Sequence, residues 1–233
     1  MKGNIKNNIQ TIKNAFKKHV EPPKTFIFHI HGGGFISMSS FIHQTYTRKW
    51  ANNLNVPIVS VDYGKAPEYP FPQGLYDCLE AYIWMLLAFP QVYKLEPQRI
   101  ILVGDSAGGN LVAALTNLLI EWGLRVPDGI ILVYPALNLN YYDFTPSLLT
   151  ALNDMILPHT FLKICLKSYL RDPAHKPATD CYISPIKTPA SVLSRYPPTR
   201  IFVGSKDPFH DDCCRLAEML SIQSPNKVKL VIF

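Results

Sequence analysis

Ser106 stands in the stretch Gly104-Asp105-Ser106-Ala107-Gly108, directly after the apolar run Ile100–Val103. A serine hydroxyl is a weak nucleophile at neutral pH. To attack a carbonyl it needs a base for its proton and a site for the negative charge that forms. Gly-x-Ser-x-Gly between a strand and a helix encodes a sharp turn that lifts the serine oxygen above the sheet edge, and the tightness of the turn demands small residues on both sides. Five residues of this kind also arise by chance as a glycine-rich turn with an idle serine. The setting favours the chemical reading, because a helical stripe of Leu111, Leu115, Leu118, Leu119 and Trp122 follows the turn.

The charge-holding part is legible at His31-Gly32-Gly33-Gly34-Phe35, which follows a second apolar run, residues 25–30. Consecutive glycines let the backbone approach a ligand closely and leave N–H groups free to donate. Gly33 and Gly34 are the expected donors to the oxyanion of a tetrahedral intermediate, with Gly32 shaping the turn. Ala107, the residue after the nucleophile, supplies the remaining N–H. Loss of one such donor lowers a rate by about 10²–10³. A phosphate-binding loop is the alternative, but the stretch lacks both the Lys-Ser/Thr of a P-loop and the glycine spacing of a dinucleotide fingerprint.

These turns need a frame. Apolar β-rich runs recur at 25–30, 56–61, 100–103, 129–134, 200–203 and 228–233. Most are continuously apolar, the pattern of strands buried on both faces of a helix-covered parallel sheet. Helical periodicity lies between them: Leu75, Leu79, Tyr82, Ile83, Leu86 and Leu87, then the stripe after Ser106, then Leu216, Met219 and Leu220. Alternating strands and helices predict an α/β fold, a mostly parallel doubly wound sheet. Residues 135–199 form one overlong crossover, rich in proline, with a helical pattern at Phe161, Leu162, Cys165, Leu166 and Tyr169. An excursion of that length predicts a helical lid or substrate-binding insertion.

The chain has 233 residues, 48% of them hydrophobic, enough for one domain with a core. Its net charge of +6 is uneven. Residues 1–24 hold six lysines and one glutamate, whereas the rest is nearly neutral. Lysines gathered at one end without a recognition fold argue against nucleic-acid binding. Ile5, Ile9, Ile12 and Phe16 form one stripe of a helix with the lysines off it. Such a helix packs on its own domain or rests, through residues 1–20, on an anionic lipid surface. Five cysteines, two of them adjacent, do not suggest a disulfide framework or a metal cluster. With no signal-like or bilayer-spanning stretch, the expectation is a cytoplasmic protein, peripheral on lipid droplets or membranes if the stripe meets lipid.

Residues 31–35, 62–72, 104–110, 125–136 and 205–212 read HGGGF, DYGKAPEYPFP, GDSAGGN, RVPDGIILVYPA and SKDPFHDD. In kind and order they resemble the hormone-sensitive lipase family of α/β-hydrolases. The resemblance runs from about Thr25 to Phe233, and YISPI at 182–186 and DMILP at 154–158 add to it. It implies an α/β-hydrolase fold and a serine esterase or lipase acting on acylglycerols or other lipid esters, with no metal and no cofactor. His31 would brace the oxyanion loop, as in the family. Chain order in these folds is serine, then acid, then histidine. Asp207, in the loop after the run at 200–203, matches the family's catalytic acid; Asp211 and Asp212 begin the next helix, where acids serve the N-terminal dipole.

The histidine is not found. His210, three residues after Asp207, is too close along the chain to be the partner that Asp207 orients. His29 and His31 flank the glycine loop, and His19, His43, His159 and His175 precede the acid and read as structural or exposed. The expectation is therefore a fragment whose histidine would follow Phe233. The first strands of the family likewise lack room before residue 25. A protein without the histidine would instead be a ligand-binding, receptor-like member of the family. An amidase on the same scaffold is a further alternative, since these motifs serve acyl transfer in general.

Overall fold

A computed structural model describes residues 23–152 and 154–233. The amphipathic stripe at the N-terminus thus lies outside the described residues. Six strands build one sheet: β1 (Thr25–Ile30), β2 (Ile58–Val61), β3 (Arg99–Asp105), β4 (Gly129–Val133), β5 (Thr199–Val203) and β6 (Val228–Ile232). Their spatial order is β2-β1-β3-β4-β5-β6, and every neighbouring pair is parallel. The apolar runs are strands because both faces of the sheet are covered; Phe26, Phe28, Ile30, Ile100, Leu102, Leu132 and Ile201 have no exposed surface.

The helices are α1 (Ser40–Leu54), α2 (Gln73–Leu87), α3 (Phe89–Tyr93), α4 (Ala107–Glu121), α5 (Pro146–Thr150), α6 (His159–Tyr169), α7 (Ala190–Leu193) and α8 (His210–Gln223). The central one is α4, buried from Ala107 to Ile120 and packed on β1, β3, β4 and α2. It is buried all round because the insertion between β4 and β5, which carries α5, α6 and α7, closes over it. Polar side chains on α4 fasten that cover. Asn110 Nδ2 donates to the carbonyls of Ala136 and Ile183 at 2.7 and 2.9 Å. Asn117 Nδ2 donates to Cys181 O and Thr188 Oγ1 at 3.0 and 2.8 Å, and Asn117 Oδ1 accepts from Tyr196 OH at 2.6 Å.

No periodicity in the sequence announces α1. Its buried side chains are His43 and Thr47, not aliphatic ones, so no apolar stripe marks it. The ends are well signalled: Ser39 Oγ accepts from Ile42 N at 3.3 Å, and Asn55 closes the helix at φ 52°.

The topology decides where chemistry can occur. From β1 the chain moves to β2 on one side, then crosses to β3 on the other side of β1 and continues outward. Strand order reverses between β1 and β3, and the carboxyl ends of strands at such a reversal frame a crevice. Ile30 pairs with Gly104 in register, so the loop after β1 and the turn after β3 leave the sheet side by side.

Candidate active site

The turn after β3 is fixed by steric fit. Ser106 adopts φ 53° and ψ −117°, a region that L-residues rarely occupy. Its N–H donates to Val133 O at 2.9 Å, and its carbonyl accepts from the N–H groups of Asn110 and Ala136, both at 3.1 Å. A Cβ on Gly104 would lie 2.4 Å from Gly108 O, and one on Gly108 would lie 2.1 Å from Ile30 O. Those glycines are required because α4 starts in contact with the end of β1.

The loop after β1 turns through positive φ at Gly33 (119°), Gly34 (62°) and Phe35 (66°). Ile36 N, Ser37 N and Ser37 Oγ all donate to Gly33 O, at 3.2, 3.0 and 2.9 Å. Among the described residues the N–H groups of Gly33, Gly34 and Ala107 have no hydrogen-bond acceptor. Helix α6 lies against this loop. A Cβ on Gly34 would stand 2.7 Å from Cys165 Sγ, and the Phe35 ring stacks on Tyr169 with centroids 3.9 Å apart.

A polar cluster ties the two turns together. Gly32 N–H donates to Asp105 Oδ1 at 3.2 Å, joining the β1 loop to the residue before Ser106. Tyr46 OH donates to the same oxygen at 3.2 Å. Because the tyrosine has one proton, its oxygen accepts from His29 Nε2–H at 3.0 Å, and His29 Nδ1 accepts from Ser60 Oγ–H at 2.8 Å. Burial, with the neighbouring His43 and His31 adding to it, pushes the His29 pKa down to about 3, so the ring is neutral. Burial and the adjacent Asp105 carboxylate push the Tyr46 phenol well above its ordinary range. His43 Nε2 lies 3.7 Å from Asp105 Oδ2, on the far side of the carboxylate. His31 donates from Nδ1 to Gly32 O at 2.6 Å, and its own carbonyl accepts from Tyr63 OH at 3.1 Å. Burial lowers the His31 pKa as well.

Asp207 lies in the turn after β5. Its Oδ1 accepts from Phe209 N–H at 2.8 Å, and its N–H donates to Gly204 O at 3.1 Å. Burial raises its pKa. Asp211 and Asp212 occupy the first turn of α8. Asp211 accepts from Ser147 N–H at 2.8 Å, which with its contact to His210 holds its pKa low. His210 Nδ1 pairs with Asp211 at 3.1 Å. Among the described histidines none hydrogen-bonds to Asp207 or to Ser106.

The structure thus brings Ser106, Ala107 and the Gly32–Gly34 loop to the β1/β3 crevice. Asp207 stands at the carboxyl end of β5, two strands from β3. Sequence reasoning missed the tether through Asp105, Tyr46, His29 and His43. Asp105 lies inside the quoted motif, but its partners on α1 sit in a helix without an apolar stripe. No group of three or more His, Cys, Asp or Glu side chains is arranged to hold a metal ion among the described residues.

A parallel sheet with a strained serine after its third described strand, beside a glycine loop at the strand-order reversal, defines a class. The chain belongs to the α/β-hydrolase fold family, whose sequence pattern matches residues 27–233. Within that family it is similar to the hormone-sensitive lipase of Mus musculus, 42% identical over 146 residues that cover 63% of this chain and 19% of that protein. An esterase of Acinetobacter venetianus is 34% identical over 192 residues, 82% of this chain and 60% of the esterase. The chain therefore spans about a fifth of the lipase it matches. Among solved structures, a hyperthermophilic esterase from Pyrobaculum calidifontis superposes with a TM-score of 0.82 at 29% identity, covering 91% of this chain and 68% of that one.

Proposed function

We propose that the chain is the core of a serine carboxylic ester hydrolase whose substrates are lipid esters such as acylglycerols. The observation that carries the reading is the hydrogen bond from Gly32 N–H to Asp105, 3.2 Å, which holds the glycine loop against the serine turn while the Gly33, Gly34 and Ala107 N–H groups stay unpaired. In this reading Ser106 Oγ attacks the ester carbonyl, and those three N–H groups receive the oxyanion. Asp207 orients the imidazole that takes the serine proton and returns it to the leaving alcohol. The insertion between β4 and β5 supplies the walls of the substrate site. Residues 1–20 add contact with a lipid surface, which would make the protein cytoplasmic and peripheral on droplets or membranes. The lipase and esterase names of its relatives support the substrate class.

A fluorophosphonate tests this directly, because it needs the nucleophile and the oxyanion donors and traps the adduct. Slow labelling at Ser106 that accumulates over long incubation and is absent in Ser106→Ala is expected, because the covalent adduct builds up even when the serine has no bonded base. Ester turnover by residues 1–233 alone should be weak, since a triad without its imidazole retains only about 10³–10⁴-fold acceleration over water. Among the described residues no histidine bonds to Asp207 or Ser106, and a second reading takes that as it stands: a protein that binds a small apolar acid or ester without cleaving it. Tight binding of such a ligand with no labelling of Ser106 would establish that one.

A further inference from the structure

Helix α6 separates two environments. Its inner face, with Cys165, Leu166 and Tyr169, is buried and touches the Gly34–Phe35 loop. Its outer face exposes Phe161 and Ile164 among Lys163 and Lys167, and the exposed cations Arg171 and Lys176 follow. The turn that leads into α6 is held by Asp154, whose Oδ1 accepts from the N–H groups of Ile156 and Leu157 at 2.8 and 2.7 Å. That turn holds out Met155 and Ile156, whose relative exposures are 98% and 91%. Two large apolar side chains standing fully in water on a hydrogen-bonded tip, beside a helix face of mixed apolar and cationic groups, mark an interaction surface.

We propose that this tip and the outer face of α6 dock on an anionic lipid interface, with Met155 and Ile156 entering the acyl region and Lys163, Lys167 and Arg171 meeting the head groups. Charge selects this occupant. Residues 155–176 carry four Lys and Arg against one Asp, in a body that is otherwise close to neutral. A patch of that sign repels the lysine-rich segment 1–24. It also repels an identical patch on a second copy, as a two-fold dimer across it would require. An anionic surface attracts it, each cation near such a membrane strengthening the binding by about fivefold. The proposal rests on the lipid-ester reading and adds a consequence: the helix that touches the interface is the one whose other side supports the oxyanion loop, so docking sets the crevice beside the lipid.

The test is co-sedimentation of the full chain with vesicles of phosphatidylcholine, alone and with added phosphatidylserine. The double variant Met155→Ser/Ile156→Ser should bind the anionic vesicles at least about tenfold more weakly. Lys163→Gln/Lys167→Gln should lose about thirtyfold and most of the preference for phosphatidylserine. All four positions are exposed, and the one contact given up is that of the Lys163 ammonium with the Tyr141 ring at 4.9 Å, so melting temperatures should stay close to the parent's, which keeps a loss of binding interpretable. Unchanged vesicle binding in both variants overturns the proposal. So does binding that disappears only when the lysines of residues 1–20 are neutralised, or a dimer in sedimentation equilibrium that the Met155/Ile156 variant splits. Labelling of Ser106 by a water-soluble fluorophosphonate on the same samples keeps the two readings apart. Ser106-dependent labelling, however slow, without tip-dependent vesicle binding sinks the surface alone; tip-dependent binding with no labelling even on long incubation sustains the surface and sinks the hydrolase reading.

Discussion

The two turns at the β1/β3 crevice are held by different physical means. The turn after β3 is held by contact: glycines at 104 and 108 let backbone meet backbone, and any Cβ there would stand 2.4 or 2.1 Å from a carbonyl oxygen. The loop after β1 is held by a chain of hydrogen bonds that starts at Gly32 and ends at Ser60, passing through Asp105, Tyr46 and His29. Steric fit tolerates almost no substitution but does not depend on charge or pH. A polar tether tolerates conservative exchange, yet it answers to both. The proposed oxyanion donors would have to stay put as charge develops, a demand that a sterically fixed serine side and an aligned glycine side both meet.

The sharpest break in that contrast is Gly108→Ala. The added carbon must displace either the start of α4 or the end of β1, the centre of the fold. Overpacking of a well-packed core costs about 1–3 kcal/mol and occasionally more, and this site has backbone on both sides. A loss at or above about 3 kcal/mol in urea unfolding is expected. A loss below about 1 kcal/mol would mean that the turn is not sterically set.

The tether should yield by smaller steps. Asp105→Ala leaves Gly32 N–H and Tyr46 OH without their shared acceptor, a loss of about 2 kcal/mol for hydrogen bonds to a charged group. Fluorophosphonate labelling of Ser106 should slow by about tenfold or more, because Gly33 and Gly34 lose their alignment. Asp105→Asn keeps an acceptor oxygen and should recover most of the labelling rate. Tyr46→Phe removes one donor and should cost about 1 kcal/mol. If Ala and Asn at 105 slow labelling equally, the carboxylate acts through something other than its bond to Gly32.

This difference also explains what the sequence could reveal. Steric demands select residue types at fixed short spacing, so Gly104, Ser106, Gly108 and Gly32–Gly34 were legible, as were the six strands, whose boundaries shift by no more than about two residues. The doubly wound order and the long insertion follow from the same alternation. The tether joins Asp105 to Tyr46, 59 residues away on a helix whose inner face is His43 and Thr47, and through it to His29 and Ser60 on β1 and β2. Hydrophobic periodicity is blind to such a helix, and pairing at that range leaves no local trace. The place of Asp207 in the turn after β5 was legible from the apolar run before it, and loops at the carboxyl ends of strands frame the crevice. The exposed tip at Met155 and Ile156 reads in sequence as ordinary core, since an apolar residue carries no mark of which way it faces.

The gentlest probe of the contrast is pH, to which only the tethered side should respond. His29 is buried and its pKa is pushed down to about 3, whereas in the unfolded chain an ordinary histidine titrates near 6.5. As pH falls below that value the unfolded chain takes up a proton that the folded ring refuses, so stability declines by up to about 1.4 kcal/mol per pH unit until the folded pKa is reached. His31, also lowered by burial, acts in the same direction. Asp212 opposes them: burial raises its pKa to about 6 from 3.8, so the folded state holds a proton there that the unfolded state lacks, and stability gains as pH falls between those values. The parent's net slope mixes these contributions, and the variant separates them. His29→Gln can still donate to Tyr46 and cannot take up a proton. Its melting temperature should fall less steeply than the parent's on going from about pH 7 to about pH 4, and the two curves should converge toward the acid end. Parallel curves would mean that the neutral ring at 29 is not part of what holds the glycine loop, and the tether would then have to end at Tyr46.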